Sequence, residues 1–241
     1  MEVGNKDVYE YISNFADDKT VINMILANPK IFDKENFYEK VMRKRYPLLI
    51  EFRKENETWK ALYLRMIYVL AKLQEDYQIP YIPTKGCNPE KLLYSKNMYE
   101  EALFCAAAGG NLPLIDYFLG KGAVNITVAL KMASRYSDLN TIKYLLTKTA
   151  NDYEDYGTIL EAASAGGKID TMKFALETLK NLEFMINDPF GRVSLALAIN
   201  NGQIEAIDFL IENGITIRPI NIERAEQARK YDIAAYLRKF V

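Results

Sequence analysis

No histidine occurs among the 241 residues, and only two cysteines do, Cys87 and Cys105. Nucleophilic catalysis of the Ser-His-Asp or Cys-His kind uses an imidazole as general base, so neither is open to this chain. Two thiols without histidine cannot close a tetrahedral zinc site. Carboxylates are plentiful, at 32 Asp and Glu, but no motif pairs two of them for acid–base work. The cluster Asp152, Glu154 and Asp155 lacks the Asp-x-Asp-x-x-Gly spacing of a calcium loop and reads as a solvated loop. Gly120-Lys121 and Gly167-Lys168 set a lysine after a glycine, as a phosphate loop does. Yet Ile115 and Ala162 stand where the first glycine of that loop belongs, and neither lysine precedes Ser or Thr. No catalytic residue, metal or cofactor is therefore expected, and a binding protein is favoured over an enzyme.

The charged and aromatic residues suit binding better. Lys40, Arg43, Lys44 and Arg45 share a helical stretch with inward-facing Val41 and Met42, so they read as a solvated face. Trp59 falls in helical register with Leu62, Tyr63 and Met66 and is expected in the core. With 31 basic against 32 acidic residues the net charge is -1, so no global field draws the chain to nucleic acid or anionic lipid. The first residues, MEVGNKDVYEYISNF, lack the basic-then-apolar form of a signal peptide. The most apolar window, Ala61 to Ala71, is interrupted by Arg65 and is far short of the roughly 20 residues of a bilayer span. Cys105, beside Ala106 and Ala107, reads as a small core residue, and Cys87 as exposed. Two unpaired cysteines fit a reducing compartment, cytoplasmic or nuclear, and the chain is expected to be monomeric.

The elements that would position these residues are helices, and strand signals are nearly absent. Val8, Ile12 and Phe15 share one face of a short helix begun by Asp7. Asp18 is expected to cap a second helix, with Val21, Ile22, Ile25 and Leu26 as its apolar stripe. A third stretch covers Lys34 to Arg45, and a long helix begins near Thr58. Pro80, Pro83 and Pro89 with Gly86 then mark a linker, read as extended and packed over 79–96.

Beyond the linker the chain repeats itself. Segments beginning at Leu103, Leu130, Leu160, Leu195 and Ile222 follow at spacings of 27, 30, 35 and 27 residues. Each holds a helix rich in small residues, a Gly or polar break, and a second helix with aliphatic spacing. The spacings straddle the roughly 33 residues of ankyrin repeats. The copy from Asp188 to Gly214, DPFGRVSLALAINNGQIEAIDFLIENG, resembles the ankyrin pattern D-x-x-G-x-T-P-L-H-L-A-A-x-x-G-H-L-E-V-V-K-L-L-L-E-K-G without a gap. Asp188 and Gly191 match the turn, Leu195 and Ala198 the inner helix, Gly202, Ile204 and Glu205 the junction, and Leu210 and Gly214 the outer helix and its stop. In this copy Val193-Ser194-Leu195-Ala196 replaces Thr-Pro-Leu-His. The resemblance covers 97–241, as about five repeats with the last a degenerate C-terminal cap.

Residues 1–78 resemble an F-box. Tyr11 to Phe15 with Asp17-Asp18 stand for its first helix and turn, VINMILANPKIF for its second helix, and NFYEKVMRKRYP for its third. The trailing ETWKALYLRM is similar to the Trp-bearing helix that follows many F-boxes. Lys6-Asp7-Val8 stands where the family has a Leu-Pro-led element. An F-box-like region ahead of ankyrin repeats, in a Tyr-, Asn- and Ile-rich chain, resembles the ankyrin proteins of large DNA viruses.

The resemblance implies an all-α fold, a small F-box-like helical domain followed by a solenoid. It implies an adaptor whose ankyrin groove holds a protein target while Val8, Ile12, Phe15, Val21 and Ile25 dock a Skp-type component of a cullin–RING ubiquitin ligase. The alternative is a binding or inhibitory module in which the N-terminal helices only cap the solenoid. Groove positions carried over from the family are Ala108, Gly109, Arg135, Tyr136, Ala165, Gly166, Asn200 and Asn201, with Pro189, Phe190 and Arg192 from one preserved finger. Arg135 and Tyr136 are expected to protrude between small residues, and both are types enriched at binding hot spots.

Overall fold

A computed structural model describes residues 16–27, 34–80, 86–182 and 185–241 of the chain. It divides into two compact units, 1–98 and 99–241. Val8, Ile12 and Phe15, and the short helix expected around them, lie outside the described residues.

In the first unit, α1 (Asp18–Ala27), α2 (Glu35–Arg45) and α3 (Trp59–Glu75) enclose a core of Val21, Phe37, Tyr38, Val41, Met42, Leu49, Leu62, Tyr63 and Met66. Its tyrosines are fully buried, and the Tyr38 and Tyr63 rings lie 5.7 Å apart in a tilted pair. Tyr46-Pro47 ends α2, because proline disfavours a helical predecessor, and Pro47–Phe52 closes into a 3-10 turn. Thr58 caps α3 by accepting from the Ala61 amide at 3.1 Å.

The start of α1 differs from the expected cap. Asp17 accepts from the Thr20 amide at 2.7 Å, which is the capping bond. Asp18 turns inward instead and accepts from the Tyr63 hydroxyl at 2.8 Å, from Arg45 at 3.2 Å and from the Tyr46 hydroxyl. One carboxylate thus ties α1 to the end of α2 and to the middle of α3. The choice falls this way because the second of two adjacent acids is the one facing the tyrosines.

Arg65, the charge that interrupts the apolar window, has a comparable role. It makes a two-pronged pair with Glu57 at 2.7 Å, bonds Glu90 at 2.8 Å and donates to the Phe52 carbonyl at 2.9 Å. Glu90 lies in α4 (Pro89–Tyr94), inside the segment expected to be extended. Proline at the first helical position costs no hydrogen bond, and Asn88 caps the turn through the Glu90 amide, so a proline can open a helix here. Cys87 is buried rather than exposed, and neither Cys87 nor Cys105 is a free thiol. The expectation of two unpaired cysteines is therefore not met.

The second unit is a run of helix pairs: α5 (Met98–Ala108) with α6 (Leu112–Gly120), α7 (Ile126–Tyr136) with α8 (Leu139–Leu146), α9 (Tyr153–Gly166) with α10 (Ile169–Asn181), α11 (Pro189–Asn201) with α12 (Ile204–Glu212), and α13 (Pro219–Gln227) with α14 (Tyr231–Leu237). The periodicity seen in sequence is a periodicity of burial. Ala106, Ala133, Ala163, Ala198 and Ala225 occupy one position of successive inner helices, and all are buried. Ile115, Ile142, Met172, Ile207 and Ala234 do the same in the outer helices. Alanine lets the inner helices approach closely, and α9 packs against both α7 and α11.

The junction between the helices of a pair needs a left-handed residue. Gly110, Gly167 and Gly202 supply it at φ 69°, 67° and 74°. The last pair uses Arg229 at φ 57°, against the steric preference of a side chain. Only the α7–α8 junction avoids the region, with Ser137 extended and Asp138 capping α8 through the Thr141 amide at 2.9 Å.

Rungs also join successive outer helices. Tyr144 of α8 donates to Asp116 of α6, and Tyr236 of α14 donates to Asp208 of α12 at 2.5 Å. At the corresponding place between α8 and α10, Lys143 lies 5.5 Å from the centre of the Phe174 ring.

The described residues contain no strand, so the finger expected at Pro189, Phe190 and Arg192 is not a β-finger. Pro189 opens α11, and the following residues form its first turn. Gly191 permits this, since a Cβ there would come within 1.7 Å of the Ile186 carbonyl oxygen.

Candidate functional site

The inner helices α7, α9 and α11 end side by side, and their last residues are the positions expected to meet a partner. Gly166 sets the spacing. A Cβ on it would lie 2.3 Å from the backbone oxygen of Arg135, so only glycine lets α9 end this close to α7. Ala165, next to it, is buried. The Arg135 side chain passes over this small-residue floor and donates from Nη2 to the Asn201 side-chain oxygen at 2.6 Å. The bond joins α7 to α11 across the end of α9.

Arg135 and Tyr136 are therefore only half exposed, which corrects the expectation of a freely protruding pair. The guanidinium carbon lies 5.3 Å from the centre of the Tyr136 ring. Asn201 is held from its other side, donating from Nδ2 to the Leu197 carbonyl at 2.8 Å. Asn200 is exposed, and Ala108 is buried beside exposed Gly109.

Phe190 does not face a groove. Its ring lies against Gly157 of α9, where a Cβ would come within 2.6 Å of ring carbons, and it packs at 5.5 Å from the Tyr153 ring. Pro189 and Arg192 stay exposed on either side of it. Val21 and Ile25 belong to the core of the first unit, at 0% and 8% exposure, and so offer no side chain for docking an adaptor.

One row of residues escaped the sequence reading. The position following each junction residue, Asp138, Gln203 and Lys230, lies over the junction glycine of the preceding pair. A Cβ on Gly110 would meet Asp138 at 3.8 Å and Ser137 at 2.7 Å, one on Gly167 would meet Gln203 at 2.4 Å, and one on Gly202 would meet Lys230 at 3.2 Å. Lys168 holds the same position in the third pair. The available signal was that this position is polar in every copy.

Elsewhere the chemistry is structural. The acidic cluster is a capping box: Asp152 accepts from the Glu154 and Asp155 amides, while Asp155 accepts from the Asp152 amide. Among the described residues no group of three or more His, Cys, Asp or Glu is placed to hold a metal ion. A recess of about 360 Å³ beside α9 is lined by Thr127, Lys148, Asp152 and Glu154, and brings no nucleophile and base together. Glu161 of α9 is half-buried, and burial holds its carboxyl above the usual range, with Lys131 pulling the other way. No helix of the described residues is long and apolar enough to cross a membrane.

The basic run of the first unit is exposed at Lys40, Arg43 and Lys44, while Arg45 is engaged with Asp18. Trp59 is half-buried rather than fully in the core. The Arg43 and Arg53 guanidinium carbons lie 5.1 Å and 4.4 Å from its ring centre.

A family model of ankyrin repeats matches residues 130–221 in three copies. This span runs from α7 to the start of α13 and includes the whole of the Arg135–Asn201 edge. Ankyrin repeats are protein–protein interaction modules, and no catalytic family is indicated. No curated protein matches the chain.

Proposed function

We propose that the repeat unit is a protein-binding module whose docking face is the edge formed by the ends of α7, α9 and α11. The observation that carries this reading is the Arg135–Asn201 hydrogen bond over Gly166. It sets an arginine and an asparagine at fixed positions on one surface, with the Tyr136 ring beside the guanidinium and small residues between them. Side chains held in place before contact lose less freedom on binding, which favours affinity. Tyr136 and Arg135 are the affinity-bearing residues, Asn200 and Asn201 supply polar contacts, and Pro189 and Arg192 extend the face at the start of α11.

The test is affinity purification with mass spectrometry, comparing the full chain with a Tyr136→Ala, Asn200→Arg variant of unchanged melting temperature. The variant is expected to lose the partners that the parent retains. An unchanged partner set would remove this edge as the docking face.

A finer reading adds that residues 1–78 bring the bound protein to a cullin–RING ubiquitin ligase. It rests on the order of an F-box-like region ahead of ankyrin repeats. Recovery of a Skp-type adaptor by the full chain, above the level recovered by residues 97–241, would support it. Equal recovery would end it.

A further inference from the structure

Arg135 carries a full positive charge on a half-buried side chain, and no acidic residue among the described ones forms an ion pair with it. It meets instead the neutral oxygen of Asn201 and the face of Tyr136. A guanidinium has five N–H donors in a planar fork. The bond to Asn201 uses one of them and fixes the plane. The other two half-buried arginines are each paired with an acid, Arg45 with Asp18 and Arg65 with Glu57 and Glu90.

The surroundings of Arg135 do not supply the missing carboxylate. Asp138 is the nearest acid in sequence, and its Oδ1 accepts from both the amide and the hydroxyl of Thr141 as the cap of α8. Lys168, at the equivalent junction position of the next pair, adds a second cation with no ion pair of its own among the described residues. Partial burial strengthens an interaction with an incoming anion, because less water screens it. A fork oriented by one neutral hydrogen bond and backed by an aromatic ring matches the two oxygens of a carboxylate.

We propose that the partner docks an acidic side chain, Asp or Glu within an extended protein segment, onto the free edge of Arg135. The inference rests on the docking face described above and adds the chemistry of what it takes. Tyr136 contributes apolar area beside the ion pair, and Asn200 an uncharged polar contact.

The experiment is a selection of displayed random 12-residue peptides against the full chain, followed by affinity measurement of the enriched peptides on variants. Enriched peptides are expected to share an Asp or Glu. Arg135→Gln, which keeps a donor to Asn201, is expected to weaken them at least tenfold, and Arg135→Lys to weaken them less. Replacing the shared acid by Asn or Gln in the peptide should cost as much as Arg135→Gln alone, with no further loss when the two changes are combined. Peptides without an acid that bind Arg135→Gln as well as the parent, yet are lost on Tyr136→Ala, would overturn the carboxylate proposal while keeping the docking face. A selection whose binders ignore Tyr136, Asn200 and Arg135 alike would overturn both. A matched melting curve for each variant separates lost contacts from lost fold.

Discussion

The two units solve the problem of holding short helices together in opposite ways. In the first, large side chains converge: Tyr38, Tyr63, Met42 and Leu62 fill one core, and Asp18 and Arg65 gather polar groups from distant parts of the chain. In the second, small residues let backbones approach. Gly166 touches the Arg135 carbonyl, and the buried alanines repeat from pair to pair. The contrast teaches which change of volume each unit tolerates. Where large groups meet, loss of atoms leaves a void; where backbones meet, gain of a single carbon forces them apart.

The sharpest test of that contrast is a truncation in the first unit. Leu62→Ala removes a fully buried side chain and is expected to cost about 3–4 kcal/mol, read as faster amide exchange in α2 and α3. The converse is Gly166→Ala in the second unit. Its added Cβ meets backbone rather than a flexible side chain, and the expected cost is about 2–3 kcal/mol in a denaturant melt. A variant at Gly166 as stable as the parent would break the comparison, since the backbones would then have room to part.

Smaller effects come from the polar groups. Asp18→Asn leaves Arg45 without its ion pair and is expected to cost about 1–2 kcal/mol. The Tyr46 and Tyr63 hydroxyls are held above the ordinary phenol range, by burial first and by Asp18 next. Their folded pKa values exceed the unfolded one of about 10, so their contribution is complete below that pH and declines as pH rises beyond it. Alkaline titration followed by tyrosine absorbance and circular dichroism should show ionisation of these two together with loss of α3. The smallest effect is in α9. Glu161 has a raised pKa, so its ionised form opposes folding above the usual carboxyl range. Glu161→Gln is expected to raise the melting temperature by about 1–2 °C at pH 7 and to change nothing at a pH below the ordinary Glu value of about 4.3.

What was legible in the sequence follows the same divide. Repetition made the second unit readable, because each alanine and glycine was seen several times in equivalent places. The helix pairs, their junctions and the buried positions emerge from that. Single-copy features did not. Which of Asp17 and Asp18 caps α1 depends on tyrosines up to 45 residues away. Arg135 was expected to stand free because its bond to Asn201 spans 66 residues and a whole helix pair. Pro189 and Phe190 resembled a finger, but a proline that precedes a permissive glycine serves equally well to open a helix. Arg229 takes a left-handed conformation that its residue type disfavours, so only its equivalence to Gly202 could have revealed it.

The rungs along the outer helices determine which repeats can be neighbours. Asp116 and Asp208 each meet a phenol, whereas Lys143 meets a plain ring. If the second pair were lost, Asp116 would face Phe174, which has no hydroxyl to give. If the second, third and fourth pairs were lost together, Asp116 would face Tyr236 and find the donor it now has in Tyr144. Changes in the length of the array are thus filtered by chemistry at its outer surface, and the deletions that survive are those whose ends carry matching groups.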